Sequence, residues 1–233
     1  MNIDYDNEIN PLIQKEELKW LPWIGLNYEA LKTLFIGDSN YEDGGNVDEK
    51  VNWTRDFIFD QGFNKELSKN GNSRLLRSVE KTFLNEYAYD INKRKLLWSS
   101  VAYLNLSQRA VKVEDGIYDR PTGEDFQKGW RVMLKVLLIL KPKCCIKFGI
   151  AGDGIFINEI NQNTDWDFLE SPEIIKNNEL GIYERCYKIS HTTGYELIVI
   201  FINHPSGSRG YKTAGWRSFI FRNLTEMEPY FRK

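Results

Sequence analysis

Residues 33–41 read TLFIGDSNY, an apolar run that ends at Gly37 and passes directly into polar side chains. A short apolar run bounded by glycine is typical of a buried strand. Three later segments share this composition, which gives four runs in all: residues 33–37 (TLFIG), 101–106 (VAYLNL), 144–149 (CCIKFG) and 197–202 (LIVIFI). Because such runs suit strands covered on both faces, we predict that they form the centre of a parallel sheet.

Helical periodicity fills the segments between these runs. Residues 125–140 give the strongest pattern, with Phe126, Trp130 and Leu137 on one face, and Pro142 ends it. Three further stretches favour helices, namely residues 54–61, 73–87 and 215–224. This alternation predicts a three-layer α/β/α fold with a central four-stranded parallel sheet.

The chain length favours one domain over residues 1–233, because 233 residues can bury a sizeable core but are few for two domains. Within it we interpret residues 1–30 as a lead-in segment, in which residues 21–25 (LPWIG) break any helix. Residues 155–185 are polar and weakly periodic, so we interpret them as loop-rich.

Composition narrows the function classes. The formal net charge is −2, so nucleic-acid binding requires a local basic patch rather than a global one. Three cysteines and two histidines suggest neither a disulfide framework nor a zinc site, and we predict no metal and no cofactor. The polar N-terminus is unlike a signal peptide, and the longest apolar stretch, residues 132–140, is short for a membrane span. We therefore expect a monomeric cytoplasmic protein without membrane association.

Polar side chains follow three of the four predicted strands. Asp38 and Ser39 follow the first strand, Asn105 lies in the second, and His204 and Ser206 follow the fourth. Ligands of open parallel sheets bind outside the carboxyl ends of the strands, so these groups are expected to face one crevice. The crevice would offer a carboxylate, an amide, an imidazole and hydroxyls, without a glycine-rich phosphate motif or a Ser-His-Asp order.

Each of these residues also has a purely structural interpretation. Asp38 could cap the helix after its strand. Asn105 could make a structural hydrogen bond, because a buried amide must be paired. His204 could be a core histidine, although its position at a strand end favours function. His191, in a polar turn, is expected at the surface.

Five elements, in this order and spacing, resemble the uracil-DNA glycosylase superfamily. Its family 1 members have a strand ending Gly-Gln-Asp-Pro-Tyr, a strand ending Leu-Leu-Asn, a Gly-Trp helix, an apolar strand ending in glycine, and a His-Pro-Ser loop. In this chain the elements are residues 37–41 (GDSNY), 103–105 (YLN), 129–130 (GW), 146–149 (IKFG) and 204–206 (HPS). The likeness spans residues 33–224.

A bacterial subgroup of the superfamily is more similar still. Its members carry Gly-Glu-Ser-His-Tyr at the first strand, a helix that starts Thr-Arg-Asp, and Arg-Pro-Thr before the Gly-Trp helix. The chain has residues 54–56 (TRD) and 120–122 (RPT) at the corresponding points. The resemblance therefore implies a uracil-DNA glycosylase-like fold more strongly than it implies an activity, since one fold can host several functions.

The resemblance implies a protein that takes a base out of the DNA stack and hydrolyses the N-glycosidic bond of uracil or a related deaminated base. Asn105 would offer a donor and an acceptor to the O4 and N3–H of uracil. Tyr41 would exclude the methyl group of thymine. His204 would donate a hydrogen bond to the departing base anion. A carboxylate would stabilise the oxocarbenium-like sugar and orient water.

The chain departs from the family 1 pattern at the carboxylate. Ser39 stands where family 1 has its catalytic aspartate, whereas Asp38 aligns with a neighbouring position at which another branch has a glutamate. We therefore assign catalysis to Asp38 and His204, and base binding to Ser39, Tyr41 and Asn105. The residues predicted to contact a DNA backbone are Ser206, Ser208, Arg209 and Lys212. The candidates for stacking on the base are Trp53 and Phe57.

Three functions remain open on the sequence: a DNA glycosylase, a degenerate glycosylase fold that binds nucleic acid or a nucleotide without cleaving it, and a hydrolase of another N-glycosidic substrate such as a free nucleoside. Residues 207–210 (GSRG) contain no apolar wedge for duplex DNA, which favours single strands. The positions of four basic residues distinguish a nucleic-acid partner from a small ligand. If Arg209, Lys212, Arg217 and Arg222 line the cleft mouth, a phosphate backbone is implied; if they scatter, a small ligand is favoured. They could also be solvated charges on a terminal helix.

Overall fold

The computed structural model describes residues 1–42, 47–63, 73–85, 90–114, 117–206 and 211–232. Within these ranges the strands are β1 (Trp23–Ile24), β2 (Thr33–Gly37), β3 (Tyr41–Glu42), β4 (Val101–Asn105), β5 (Val111–Glu114), β6 (Ile117–Tyr118), β7 (Cys144–Phe148), β8 (Trp166–Phe168), β9 (Ile174–Asn177), β10 (Ile182–His191) and β11 (Glu196–Ile202). The α-helices are α1 (Asp6–Gln14), α2 (Tyr28–Leu31), α3 (Trp53–Ile58), α4 (Arg74–Leu84), α5 (Ile91–Ser99), α6 (Gly123–Leu140), α7 (Asp153–Asn161), α8 (Thr213–Asn223) and α9 (Met227–Arg232). A π-helical turn, Phe59–Phe63, continues α3.

The main sheet is central and mostly parallel, with helices on both faces, which confirms the α/β class. Its order is β1-β4-β2-β7-β11-β10-β8, and β9 also pairs with β10. Strands β4, β2, β7 and β11 pair in parallel and coincide with the four apolar runs. The sheet differs from the predicted four-stranded one because β1, β8, β9 and β10 extend it with antiparallel pairs.

The interpretation of residues 155–185 as loop-rich was wrong. Helix α7 and strands β8, β9 and the start of β10 lie there. Strand β10 is partly exposed, so buried Tyr187 and Ile189 are separated by the exposed Lys188. A strand with one wet face carries charged residues on that face, and such a pattern is easily taken for a polar loop.

Residues 1–30, which we interpreted as a lead-in segment, pack against later parts of the chain. Strand β1 pairs with β4, and α1 buries Ile9 and Leu12. Arg55 of α3 ties the segment down, because its Nη1 donates to Asp6 at 2.9 Å and its Nε donates to the carbonyl of Pro22 at 3.0 Å. The Thr-Arg-Asp stretch at residues 54–56 therefore has a structural role.

Alternate residues of the central strands pack against opposite helical layers. On β2, Leu34 and Ile36 join a core that includes Trp130 of α6. Phe35 points to the other face, where its ring lies 4.9 Å from that of Phe83 of α4. This two-residue alternation is what a strand covered on both faces requires.

The chain order creates a crevice at the carboxyl edge of the sheet. From β2 the chain passes through α3, α4 and α5 to β4 on one side, and then through α6 to β7 on the other side of β2. The two crossovers lie on opposite faces, so the ends of β2 and its neighbours are left open between them, which is where ligands bind in open α/β sheets. Within the described ranges, no helix has both the length and the apolar composition needed to cross a membrane.

Candidate functional site

A pocket of about 230 Å³ opens at this carboxyl edge. This volume lies below the roughly 300–1,000 Å³ of pockets for drug-sized ligands, so it suits a ligand of about one base. We call it the strand-end pocket, and it is lined by Asp38, Ser39, Asn40, Tyr41, Trp53, Phe57, Ser73, Arg74, Leu75, Tyr103, Asn105, His204 and Ser206. The structure thus brings together both residues predicted to be catalytic and all three predicted to bind the base.

Asp38 lies directly after β2 and is held by a buried lysine. The Nζ of Lys147 donates to Asp38 Oδ1, and it also donates to the carbonyl oxygen of Phe148 at 2.9 Å. Burial lowers the pKa of the Lys147 ammonium, and the carboxylate of Asp38 opposes that change. Asp38 does not cap a helix, because β3 follows it.

Gly149 makes room for this carboxylate. Its φ angle is +98°, a region that side chains disfavour, and a Cβ at this position would lie 2.7 Å from Asp38 Oδ2. The glycine that ends the run CCIKFG is thus required at this point of the site.

His204 presents its Nε2 atom towards Asp38. The backbone N–H of Ser206 donates to His204 Nδ1 at 3.3 Å, and the Ser206 hydroxyl lies 2.7 Å from the same nitrogen. A backbone N–H can only donate, so Nδ1 is unprotonated and the neutral ring carries its proton on Nε2. Nε2 lies 3.9 Å from Asp38 Oδ2. Burial lowers the pKa of His204, Lys147 lowers it further, and Asp38 opposes both, so the neutral ring is favoured.

Asn105 is buried at the end of β4 and forms part of a hydrogen-bonded chain. Its Oδ1 accepts from the hydroxyl of Tyr103 at 2.9 Å, and its Nδ2 donates to Asn40 Oδ1 at 2.5 Å. Burial raises the pKa of Tyr103, which keeps that hydroxyl protonated as a donor. An amide has two N–H donors and two acceptor lone pairs, so Asn105 retains one donor and one acceptor position.

Helix α6 fixes the backbone that follows Asn105. A Cβ on Gly129 would lie 2.3 Å from the carbonyl oxygen of Leu106, so only glycine permits this close approach. Arg109 pairs with Asp125 at 2.8 Å, and this guanidinium lowers the pKa of Asp125 to about 2. Thr122 and Asp125 form a capping box at the helix start. The Gly-Trp and Arg-Pro-Thr elements therefore hold the Asn105 end of the pocket.

The other predicted lining residues differ in exposure. Ser39 is buried, and its hydroxyl has no hydrogen-bond partner among the described residues. Tyr41 is 40% exposed at the rim. Both aromatic residues considered for stacking on the base, Trp53 and Phe57, lie in the lining and are partly buried. His191 lies at the end of β10, away from this pocket, and its ring contacts Trp166.

The predicted basic cluster is scattered where the structure describes it. Lys212 lies beside the turn at Gly181, Arg217 donates to the carbonyl of Phe83 at 2.6 Å, and Arg222 pairs with Glu184 at 2.6 Å. None of these three lines the pocket. Ser208 and Arg209 lie outside the described residues. Of the two predicted backbone contacts that the structure describes, Ser206 lines the pocket and Lys212 does not.

Lys147 and Arg74 are among the lining or supporting residues that were not selected from the sequence. Lys147 lies in an apolar strand, and that unusual setting is a signal that could have drawn attention to it. Arg74 gave no comparable signal, whereas Asn40 belongs to the stretch GDSNY that was expected to line the crevice. Asn40 matters because its Nδ2 is buried without a hydrogen-bond partner among the described residues. Arg74 is an exposed cation at the start of α4 and brings positive charge to the pocket.

In comparisons with known proteins, no family model matches the chain and no curated protein matches it. The likeness to uracil-DNA glycosylases thus depends on the order and spacing of short motifs. The ends of β2, β4 and β11, which carry three of those motifs, meet in one pocket.

Proposed function

We propose that the protein is a DNA glycosylase-like hydrolase that cleaves the N-glycosidic bond of uracil or a related deaminated base in DNA. The observation that carries this proposal is the pairing of a carboxylate with a neutral imidazole donor, Asp38 and His204, in a pocket of about the size of one base. Hydrolysis adds water across the bond between the base and C1′ of the sugar, so it needs groups at both ends of that bond.

The two groups suit the two ends. As the bond breaks, negative charge develops on the base, and the Nε2–H of His204 can donate to it. Such a preorganised donor stabilises charge that is present only in the transition state. Positive character develops on the sugar, where the carboxylate of Asp38 can stabilise it and accept a hydrogen bond from the attacking water.

Asn105 supports recognition of the base. The amide offers one donor and one acceptor position beyond those it uses within the protein. Uracil and hypoxanthine both present an N–H beside a carbonyl oxygen, which matches this pair. The Nδ2 of Asn40 is buried and has no hydrogen-bond partner among the described residues, so it adds a further donor close by.

A second candidate is hydrolysis of a free nucleoside, and the scattered basic residues favour it. Lys212, Arg217 and Arg222 make other contacts and leave Arg74 as the cation in the described lining. A site that tracks a phosphate backbone usually offers several positive groups. The nucleoside candidate therefore shares the chemistry of the first and differs in the partner.

Purified protein in excess over oligonucleotides that contain uracil, hypoxanthine or xanthine distinguishes these functions. Each oligonucleotide is offered single- and double-stranded, and alkali then cleaves any abasic site. The corresponding nucleosides are incubated in parallel, and free base is quantified. Strand cleavage after alkali supports the glycosylase, and base release from nucleosides alone supports the second candidate. Intact substrates in both arms would contradict hydrolysis and favour a pocket that only binds.

Replacement of Asn105 by aspartate tests base recognition. We expect Asn105→Asp to weaken uracil binding about tenfold or more, because an ionised carboxylate has no donor for O4 although it still accepts from N3–H. The measurement is the dissociation constant of uracil-containing single-stranded DNA. Asn92→Asp, the same change at an exposed position of α5, is the control. Unchanged binding in Asn105→Asp would remove Asn105 from the reading role.

The rate should depend on pH through His204. Burial lowers the pKa of this ring, so its neutral form persists as the pH falls past the ordinary histidine value of about 6.5. Below its own pKa the ring takes a proton on Nδ1, which can then no longer accept from Ser206, and the single-turnover rate should fall. The control is His204→Gln, which keeps a neutral N–H donor but does not titrate. If the single-turnover rate of that variant still falls at low pH as it does in the wild type, the titration of His204 is not the cause of the fall.

A further inference from the structure

Lys147 is a fully buried lysine in the strand CCIKF, next to the proposed catalytic groups. Burying an ammonium is costly unless it is paired and hydrogen-bonded. Lys147 meets both conditions at one end of its side chain: it pairs with Asp38, and it donates to the carbonyl oxygens of Phe148 at 2.9 Å and Gly149 at 3.4 Å. It does not line the strand-end pocket, so it does not contact a ligand there.

The contacts of Lys147 determine what Asp38 can do. Its ammonium occupies Asp38 Oδ1, so Oδ2 is the atom that faces His204 at 3.9 Å. An Asp carboxylate that carries this fixed partner cannot rotate freely. Gly149 leaves room for the carboxylate, and the pairing with Lys147 holds it in one orientation at the pocket wall.

The ammonium also acts on His204 through space. Asp38 and Lys147 are the charged groups that influence the ring, and they act in opposite directions. The other titratable groups of the described lining are Tyr41, Tyr103 and Arg74. Without Lys147, the carboxylate would favour an imidazolium, whose protonated Nδ1 would lose the hydrogen bond from the backbone N–H of Ser206.

We propose that Lys147 is the positioning residue of this pocket: it orients Asp38 with Oδ2 towards the reacting atoms and offsets the pull of that carboxylate on His204, so that His204 stays a neutral donor. The catalytic consequence rests on the proposed function, whereas the electrostatic arrangement does not. A neutral donor beside a fixed carboxylate suits a leaving group that departs as an anion from a sugar with cationic character.

The chain has two histidines, which makes the arrangement measurable without any substrate. NMR titration of the ring protons of His204 and His191 is compared in the wild type and in Lys147→Met, Asp38→Asn and the double variant. We expect Lys147→Met to raise the His204 midpoint by about one pH unit, because one positive charge is lost and Asp38 is left unpaired. Asp38→Asn should lower the midpoint.

The controls separate positioning from general damage. The ring signals of His191 serve as the internal reference, and Lys143→Met, at an exposed site just before β7, should leave the His204 midpoint unchanged. Lys147→Met leaves the carboxylate of Asp38, whose side chain is 19% exposed, without its partner, so the midpoint of thermal unfolding should fall, and the double variant should recover part of that loss. If Lys147→Met does not fold, the double variant is compared with Asp38→Asn, and the His204 midpoint should still rise.

An unchanged His204 midpoint in a folded variant that lacks Lys147 would overturn the proposal and leave the glycosylase assignment standing. Conversely, absence of base release by the wild type would contradict the glycosylase assignment and leave the result of this titration unaffected. A raised His204 midpoint together with a single-turnover rate that falls in Lys147→Met, at nearly unchanged substrate affinity, is the result expected.

Discussion

Replacement of His204 by alanine is expected to lower the single-turnover rate of base release by about a hundredfold to a thousandfold. Loss of one preorganised donor to a developing anion typically has an effect of that size. The Nε2–H of His204 is such a donor, because Ser206 occupies Nδ1. Substrate affinity should change little, since the charge on the base appears only as the bond breaks.

The control for this change is His191→Ala, which removes the other histidine of the chain. Single-turnover rates are measured with enzyme in excess over single-stranded uracil-containing DNA, and affinity is measured separately. Wild-type rates in His204→Ala would remove His204 from the chemistry. A loss of affinity without a change in rate would make it a binding residue instead.

Asp38→Ala should lower the single-turnover rate by a similar hundredfold to thousandfold, because the sugar cation and its water lose their carboxylate. Asp38→Asn should be milder, since an amide can still orient water but carries no charge. Ser39→Ala should matter less than either change. The hydroxyl of Ser39 has no hydrogen-bond partner among the described residues, so its removal leaves no group unpaired there.

Stability must be separated from catalysis in the Asp38 variants. Removing the carboxylate leaves the buried ammonium of Lys147 without its partner, and breaking a buried ion pair costs about 3–5 kcal/mol. The double variant Asp38→Ala/Lys147→Met should recover stability and remain slow. If Asp38→Ala keeps full activity while Ser39→Ala abolishes it, the carboxylate role belongs elsewhere and Ser39 has a part in the chemistry.

The centre of the fold could be predicted from the sequence because four strands are apolar on both faces. Strand β2, for example, begins and ends where the run TLFIG does. The antiparallel strands were not predicted, because they lack such a run of residues that is apolar on both faces. Strand β10 mixes buried residues with the exposed Tyr183 and Lys188, and β1 is only two residues long. Neither pattern stands out against an ordinary polar loop.

The site was partly predictable because strand ends in a parallel sheet share an edge. That rule brings Asp38, Asn105 and His204 together from positions far apart in the chain. It says nothing about Lys147, which lies inside a strand and reaches the site through its long side chain. Its partner could be identified only from three-dimensional distances.

The basic residues near the C-terminus show where sequence proximity misleads. Lys212, Arg217 and Arg222 lie five residues apart, and five helical residues turn through about 500°, so successive side chains point in different directions. Each therefore meets a different neighbour: the turn at Gly181, the end of α4, and Glu184. These three basic residues are therefore close in sequence but do not form one basic surface patch.

The release of free uracil from single-stranded DNA is the direct test of whether the protein is a glycosylase. Protein in excess is incubated with an oligonucleotide that contains one uracil, and the released base is quantified by mass spectrometry. An oligonucleotide with thymine at the same position is the control, because Tyr41 is expected to exclude the methyl group. We expect release of one uracil per oligonucleotide and no release of thymine. No free uracil, with the oligonucleotide intact after alkali, would contradict it.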